Sequence, residues 1–334
     1  GAGSSGQEGG TGPVQVVATF YPLEFMARAV GGGRVQVTTL VPPGTEAHDW
    51  EPRPADVRAV AAADVFLYNG AGFEPWVQRL LDAAGRPGLV AVNASEGIDL
   101  LPAGTAVELP GASAGTGQAG GAGERVAGTG EAGEAGHHAT GSGEAGHAGD
   151  HAAGAGGPDP HVWLDPALAQ QQVRNVAEGL SRADPAGREE YQRQSGALIR
   201  RLQAMEQAYR QLAQCPRREL VVTHAFFTYP AHRYGLVQVP LYGSLAPEAE
   251  PGPRQLAELA AFVRRHRLPY ILIEPGVSDR AARTLAAETG AKVLVLHPLE
   301  SLSQAERAAG EDYLSLMERN LDHVRIALGC AAPR

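Results

Sequence analysis

Histidine, the most common metal ligand among protein side chains, is concentrated in one part of this sequence. Residues 136–166 read GHHATGSGEAGHAGDHAAGAGGPDPHVWLDP and contain five histidines. Four of them stand in a background of glycine and alanine: His137, His138, His147 and His151. The fifth, His161, lies in PDPHVWLDP, which has the aromatic and aliphatic residues of a folded segment. The pattern indicates metal binding and separates His161 from the other four.

The elements that must position such a site alternate between strand and helix patterns. This alternation predicts two α/β lobes, each with a mainly parallel sheet, and a metal in the cleft between them. The predicted strands are 14–20, 34–41, 65–70 and 88–93 in the first lobe and 219–224, 237–243, 269–274 and 292–297 in the second.

Ligands of open parallel sheets bind beyond the carboxyl ends of the strands. His48 follows the second predicted strand, and His161 follows the loop after the fourth. In the second lobe His224 ends the first strand, whereas His297 and Glu300 follow the last. Any one of these histidines alone is more simply explained as structural, but together they predict a shared metal site. Three histidines on predicted helices are interpreted as surface or packing residues: His232, His266 and His323.

The domain organisation follows from composition and helix signals. Residues 103–157 are low-complexity sequence with almost no large apolar residue, and we expect them to be a disordered insertion. A long helical pattern beginning at a proline predicts one helix that joins the lobes. The predicted segments are a flexible tether (1–13), a first lobe (14–184), a linking helix (185–215) and a second lobe (216–334).

Charge and cysteine content exclude several classes of protein. A net charge of −9 over 334 residues argues against nucleic-acid binding. Two cysteines outside any CxxC pattern exclude a zinc site of the cysteine type; Cys215 and Cys330 could form a disulfide or remain free, buried thiols.

The Gly/Ser-rich start without methionine suggests an exported protein whose leader has been removed, and residues left by cloning are the alternative.

Motifs spread along nearly the whole chain resemble one family. They include VVATFYPLEFMARAVGG, PPGTEAHDWEPRPADV, DPHVWLDP, VVTHAFFTYPAHRYGL and ILIEPGVSDRAARTLAAETGAKVLVLHPLESL. The sequence resembles the zinc branch of the metal-binding receptors of bacterial ABC importers, whose lobes are joined by a long backbone helix. The resemblance implies high-affinity zinc capture outside the cytoplasm, by a periplasmic or lipid-anchored monomer, and delivery to a membrane permease.

The resemblance also implies a ligand set for one zinc ion per chain. His48 of the HDWEP loop, His161 and His224 match the first three ligands of similar proteins. The PLESL stretch favours Glu300 as the fourth, and His297 is the alternative. Histidine-rich loops of relatives imply a weak accessory role for the four histidines of the insertion.

Other metals and other functions remain as alternatives. Three imidazoles and a carboxylate suit zinc, whereas manganese, the first alternative, prefers more oxygen ligands. A zinc hydrolase would need an open coordination position and a general base, and a surface adhesin is a third class. Spare carboxylates are interpreted as groups at helix starts or groups that orient the histidines: Glu74, Glu250 and Glu274.

Overall fold

Two parallel sheets form the framework of the protein. A computed structural model describes residues 12–45, 47–48, 50–110, 157–242 and 251–330. The first sheet has the order β2-β1-β3-β4 and the second the order β6-β5-β7-β8, so the second lobe repeats the topology of the first. The strands are β1 (Val14–Ala18), β2 (Val35–Thr39), β3 (Val65–Tyr68), β4 (Val90–Asn93), β5 (Glu219–Val222), β6 (Val237–Pro240), β7 (Tyr270–Ile273) and β8 (Lys292–Val295).

Helices cover these sheets, and none in the described ranges is both long and apolar enough to cross a bilayer. They are α1 (Tyr21–Gly31), α2 (Pro54–Ala62), α3 (Val77–Ala84), α4 (Pro166–Ala183), α5 (Arg188–Tyr209), α6 (Thr228–Tyr234), α7 (Pro253–His266), α8 (Arg280–Thr289), α9 (Gln304–Ala308) and α10 (Tyr313–Leu328). The predicted α/β architecture with a long helix between two lobes is confirmed.

Helix boundaries differ from the prediction in two places. The linking helix α5 has 22 residues, and short 3₁₀ turns at 185–187 and 210–214 replace its predicted ends. It packs along α1 and α4 of the first lobe and also contacts α10 of the second. The helical pattern at about 308–328 near the C-terminus forms a helix only from Tyr313, because Gly310 has a left-handed φ of 78° and Asp312 caps the start of α10.

The predicted start of the insertion, residue 103, is too early. Residues 103–110 are described, and Val107 forms a parallel bridge with Gln238 of β6. Backbone hydrogen bonds of 2.7 Å and 2.9 Å join Gln238 to Ala106 and Glu108. This segment gains its order from a sheet edge distant in sequence, which its own composition does not reveal. The four accessory histidines lie outside the described residues.

The larger of two hydrophobic clusters extends through both lobes. It includes the N-terminal sheet and the inner side of α10, and a smaller cluster lies between the second sheet and helices α7 and α8. Trp163 is fully buried between the lobes, where its Nε1 donates to the carbonyl of Pro298 at 2.7 Å. The hydroxyl of Tyr313, at the start of α10, donates to the carbonyl of Trp163. The lobes are therefore packed together next to His161 and Glu300.

Cys215 and Cys330 form a disulfide, which decides between the two alternatives left open by the sequence. The bond joins the start of the second lobe to its end across a sequence separation of 115 residues. Closing so long a loop restricts the unfolded chain strongly.

The double substitution Cys215→Ser/Cys330→Ser should lower the free energy of unfolding of the metal-free protein by about 2–5 kcal/mol. Urea unfolding followed by circular dichroism measures the difference. Reductant should shift the midpoint of the wild-type protein and leave that of the double variant unchanged. Equal midpoints for the two proteins without reductant would contradict the expectation.

Candidate metal centre

Four predicted site residues meet in the cleft beyond the strand ends. His48 lies in the loop after β2, and His161 directly precedes the segment that leads into α4. His224 follows β5 by two residues, and Glu300 follows β8. One ligand atom from each of the four lies within 4.8 Å of all the others. Both sheets therefore deliver their residues to one point, as the topology predicted.

The spacing of three of these atoms is close to that of ligands around a small tetrahedral cation. His48 Nε2 is 3.2 Å from His161 Nε2 and 3.1 Å from Glu300 Oε1. The distance from His161 Nε2 to Glu300 Oε1 is 3.6 Å. Zinc–nitrogen bonds of 2.0–2.1 Å in a tetrahedron place neighbouring ligand atoms about 3.3 Å apart. The ligand atoms of His48, His161 and Glu300 therefore lie at separations close to those around a tetrahedral zinc ion.

The centre is shielded from water. His161, His224 and Glu300 are at most 3% exposed, whereas the side chain of His48 keeps 17% of its surface accessible. Aromatic rings pack around the imidazoles: Phe73 against His48, Trp163 against His161 and Phe226 against His224. In such apolar surroundings a bound cation would interact strongly with its ligands.

A buried carboxylate orients His161. Asp159 Oδ1 lies 2.9 Å from the Nδ1 of His161 and also accepts its backbone N–H at 3.0 Å. The carbonyl of Asp159 is held by the hydroxyl of Tyr229 at 2.6 Å. This arrangement turns Nε2 of His161 toward the centre, as in carboxylate–histidine–metal triads. Sequence reasoning missed Asp159, although its place two residues before the histidine is a usable signal.

Glu274 orients His224 in the same way. Its Oε2 is 2.5 Å from Nδ1 of His224, and both side chains are buried. Nε2 of His224 has no hydrogen-bond partner among the described residues. A buried polar atom without a partner is costly, and a cation at the centre would satisfy it. The interpretation of Glu274 as an orienting group agrees with this contact.

The neighbouring histidines keep the side chain of Glu300 negatively charged. Burial would raise the pKa of Glu300, but His48 and His161 outweigh it and hold that pKa well below its usual range. Burial would likewise lower the pKa of His161, but Asp159 and Glu300 raise it to about 10. Without a metal, a proton on His161 therefore compensates the buried carboxylates. A cation would take the place of that proton.

His297, the alternative fourth ligand, is not part of the cluster. Its Nδ1 accepts the backbone N–H of Leu299 at 2.9 Å, and its Nε2 lies 3.1 Å from Glu306 Oε1. Burial lowers the pKa of His297 more than Glu306 raises it. Both ring nitrogens are thus used to shape the turn that leads to Glu300.

Glu74 supports the site only indirectly. It accepts hydrogen bonds from Thr19 Oγ1 and from the backbone of Asn69 and Gly70 at 2.6–3.0 Å, and burial still raises its pKa to about 7. The amide of Asn69 in turn donates to the carbonyl of Pro160, next to His161. Glu250 lies outside the described residues.

The three helix histidines lie apart from the centre, as predicted. His232 is exposed. The ring of His266 stacks on Phe262, and its Nδ1 is 3.2 Å from Glu219. His323 Nδ1 is 2.6 Å from the carbonyl of Val295.

Comparisons with known proteins agree with this geometry. Residues 16–327 match the family described as zinc-uptake complex component A periplasmic, ZnuA. The high-affinity zinc uptake system protein ZnuA of Bacillus subtilis is 36% identical over 316 residues, which cover 94% of this chain and 88% of that protein. The zinc-binding lipoprotein AdcA of Streptococcus pneumoniae is 35% identical over 318 residues. That match covers 95% of this chain but only 56% of the lipoprotein.

Solved structures show the same fold. The Zn(II)-bound ZnuA-like domain of Streptococcus pneumoniae AdcA has a TM-score of 0.73 at 31% identity, with 95% of this chain and 99% of that chain covered. The metal-dependent lipoprotein YcdH of Bacillus subtilis has a TM-score of 0.72 at 33% identity, with 94% and 98% covered. These findings confirm the resemblance indicated by the motifs. With its four convergent side chains and a match along almost its whole length, the chain belongs to the ZnuA family of zinc-uptake components.

Proposed function

We propose that the protein captures one zinc ion per chain through His48, His161, His224 and Glu300 and delivers it to the permease of an ABC importer. The observation that carries the proposal is the convergence of three imidazoles and one carboxylate in a buried cleft. The unpartnered Nε2 of His224 and the zinc-bound state of a structural relative support it.

Zinc is the metal that suits this ligand set. Three nitrogen donors and one oxygen donor match its preferences. Manganese favours more oxygen ligands and a higher coordination number. The names of the curated relatives, which refer to zinc uptake and zinc binding, favour the same choice.

Capture without catalysis is the function that the surroundings of the site support. A hydrolytic zinc keeps one position open for water and needs a general base beside it. Here four side chains are available to fill the coordination shell. The carboxylates behind them, Asp159 and Glu274, are engaged with His161 and His224.

A cavity of about 110 Å³ beside the centre provides a route for the ion. Glu274, Glu300 and Glu306 line it together with His297.

We propose that the protein acts as a monomer outside the cytoplasm, in the periplasm or on a lipid anchor, because relatives are named as periplasmic components or lipoproteins. The histidines of the insertion would add weak, accessory metal binding.

The choice between Glu300 and His297 can be tested by substitution. Glu300→Ala should weaken zinc binding at least about 100-fold, because even groups that only orient ligands contribute roughly 10- to 100-fold. His297→Ala, its matched control in the same turn, should weaken binding by less, within the roughly 10- to 100-fold of a group that only positions a ligand. Competition with a chromogenic chelator measures both affinities. The reverse order would overturn the assignment of Glu300.

Zinc affinity should rise with pH. Ordinary histidines would lose affinity below about pH 6.5, where they become protonated. The pKa of His161, raised to about 10, makes zinc binding release a proton at higher pH as well. We expect affinity to increase by about tenfold per pH unit between pH 7 and pH 8 and more steeply below pH 6.5.

Calorimetry in two buffers of different ionisation enthalpy counts the protons released at pH 7.5. At least one proton per zinc ion is expected. A constant affinity from pH 7.5 to pH 5 would contradict the assignment of the histidines.

Deletion of residues 111–156 should leave the single high-affinity site intact and remove only weak, extra-stoichiometric zinc binding. Equilibrium dialysis at increasing zinc concentration separates the two classes. A longer deletion that also removes 103–110 is the comparison, and it should lower the thermal midpoint because the Val107–Gln238 bridge is lost. Loss of high-affinity binding in the shorter deletion would show that the insertion supplies a ligand.

A further inference from the structure

The segment from His297 to Ala308, which carries Glu300, is attached to both lobes. Its beginning is attached to the second lobe through Asn320 of α10. The side chain of Asn320 accepts the backbone N–H of His297 at 2.8 Å and donates to the carbonyl of His297 at 2.7 Å. Both groups are buried, so this end of the segment moves with α10.

The other end of the segment, helix α9, is attached to the first lobe. The guanidinium of Arg307 donates to both oxygens of Glu24 in α1, at 3.2 Å and 3.0 Å. Arg307 also lies over the ring of Tyr21, 5.2 Å from its centroid. A bidentate pair of this kind fixes orientation as well as distance. We call this contact between α1 and α9 the Glu24–Arg307 bridge.

Glu24 is held firmly on the first-lobe side of the bridge. Its side chain is only 6% exposed, and it also accepts Thr39 Oγ1 at 2.8 Å and Arg28 Nε at 3.1 Å. Arg28 and Thr39 both belong to the first lobe. Removal of Arg307 would therefore leave a buried carboxylate with one cation fewer, and α9 would lose its specific contact with α1.

Little flexible chain separates the bridge from the proposed ligand. Three residues lie between Glu300 and the start of α9, and Leu302 among them is buried. Ser303 and Glu306 cap α9 reciprocally, with bonds of 3.2 Å and 2.8 Å between side chain and backbone. The N–H of Tyr21 reaches the carbonyl of Glu300 at 3.4 Å. The position of α9 against α1 therefore sets where Glu300 stands relative to His48 and His161.

We propose that Glu24 and Arg307 are positioning residues for the metal site: their bridge across the lobes holds Glu300 in the cleft and thereby slows the release of zinc. The inference rests on the proposed function, because it takes Glu300 as a zinc ligand. Breaking the bridge removes the side-chain contact between α9 and α1 and leaves the longer Tyr21–Glu300 backbone bond of 3.4 Å, so Glu300 withdraws more readily. The three histidines, and the carboxylates behind His161 and His224, keep their places.

The first experiment measures zinc release into excess chelator by stopped flow. Arg307→Ala should release zinc about tenfold faster than the wild-type protein, since contacting groups couple by that order. Arg28→Ala is the matched control, because it removes another cation from the same carboxylate without breaking the connection between lobes. Its release rate should stay within about twofold of the wild-type rate.

A double-substitution cycle distinguishes positioning from general destabilisation. In a Glu300→Ala background, Arg307→Ala should change zinc affinity no further, because the group it positions is gone. In a His224→Ala background the same substitution should still weaken binding about tenfold. A purely structural effect would weaken binding equally in both backgrounds, and that result would overturn the proposal.

Failure of this inference can be told from failure of the proposed function. If the wild-type protein does not take up one zinc ion per chain, the proposed function is wrong. If it does and Arg307→Ala releases zinc at the wild-type rate, only the positioning role is wrong. Should metal-free Arg307→Ala be unfolded by circular dichroism, Arg307→Lys carries the test: its single ammonium should release zinc faster than the wild-type protein but less than about tenfold faster, and release at the wild-type rate would overturn the positioning role.

Discussion

A carboxylate buried among imidazoles is the constraint on which the rest of this structure depends. Neighbouring imidazoles hold the pKa of Glu300 well below its usual range although this carboxylate is buried, so its charge must be balanced by protons or by a cation. Asp159 and Glu274 lie behind two of the histidines and turn their remaining nitrogens toward the same point. The two sheets have the same strand topology, and together they bring these groups to one point from the two lobes.

Much of this arrangement could be predicted because it follows from strand order alone. Parallel strands collect the residues at their carboxyl ends, so His48, His161, His224 and Glu300 could be grouped without knowledge of any contact. The roles of His297 and Glu300 could not be separated in that way, since both follow the same strand. They differ because Leu299, Glu306 and Asn320 occupy the polar groups of His297, and such contacts depend on how the turn folds back on itself.

Other features escaped prediction because they rely on partners distant in sequence. Residues 103–110 look like low-complexity chain, yet they border β6 through Gln238. The disulfide could only be given as an alternative, because two isolated cysteines carry no information about their separation in space. Asp159 was overlooked for a different reason: strand order does not point to a carboxylate behind a ligand, and only its place two residues before His161 could have indicated it.

The core that spans both lobes has a consequence for the order in which the chain can acquire its structure. Trp163 belongs to the part of the chain that is synthesised first. Its carbonyl accepts from Tyr313 and its Nε1 donates to Pro298, and both of these residues belong to the last forty of the chain. The N-terminal half therefore lacks these two neighbours until the last part of the chain has been synthesised. The packing of the two lobes against each other is thus completed only after the C-terminal helix α10 is available, although each sheet has all its strands before then.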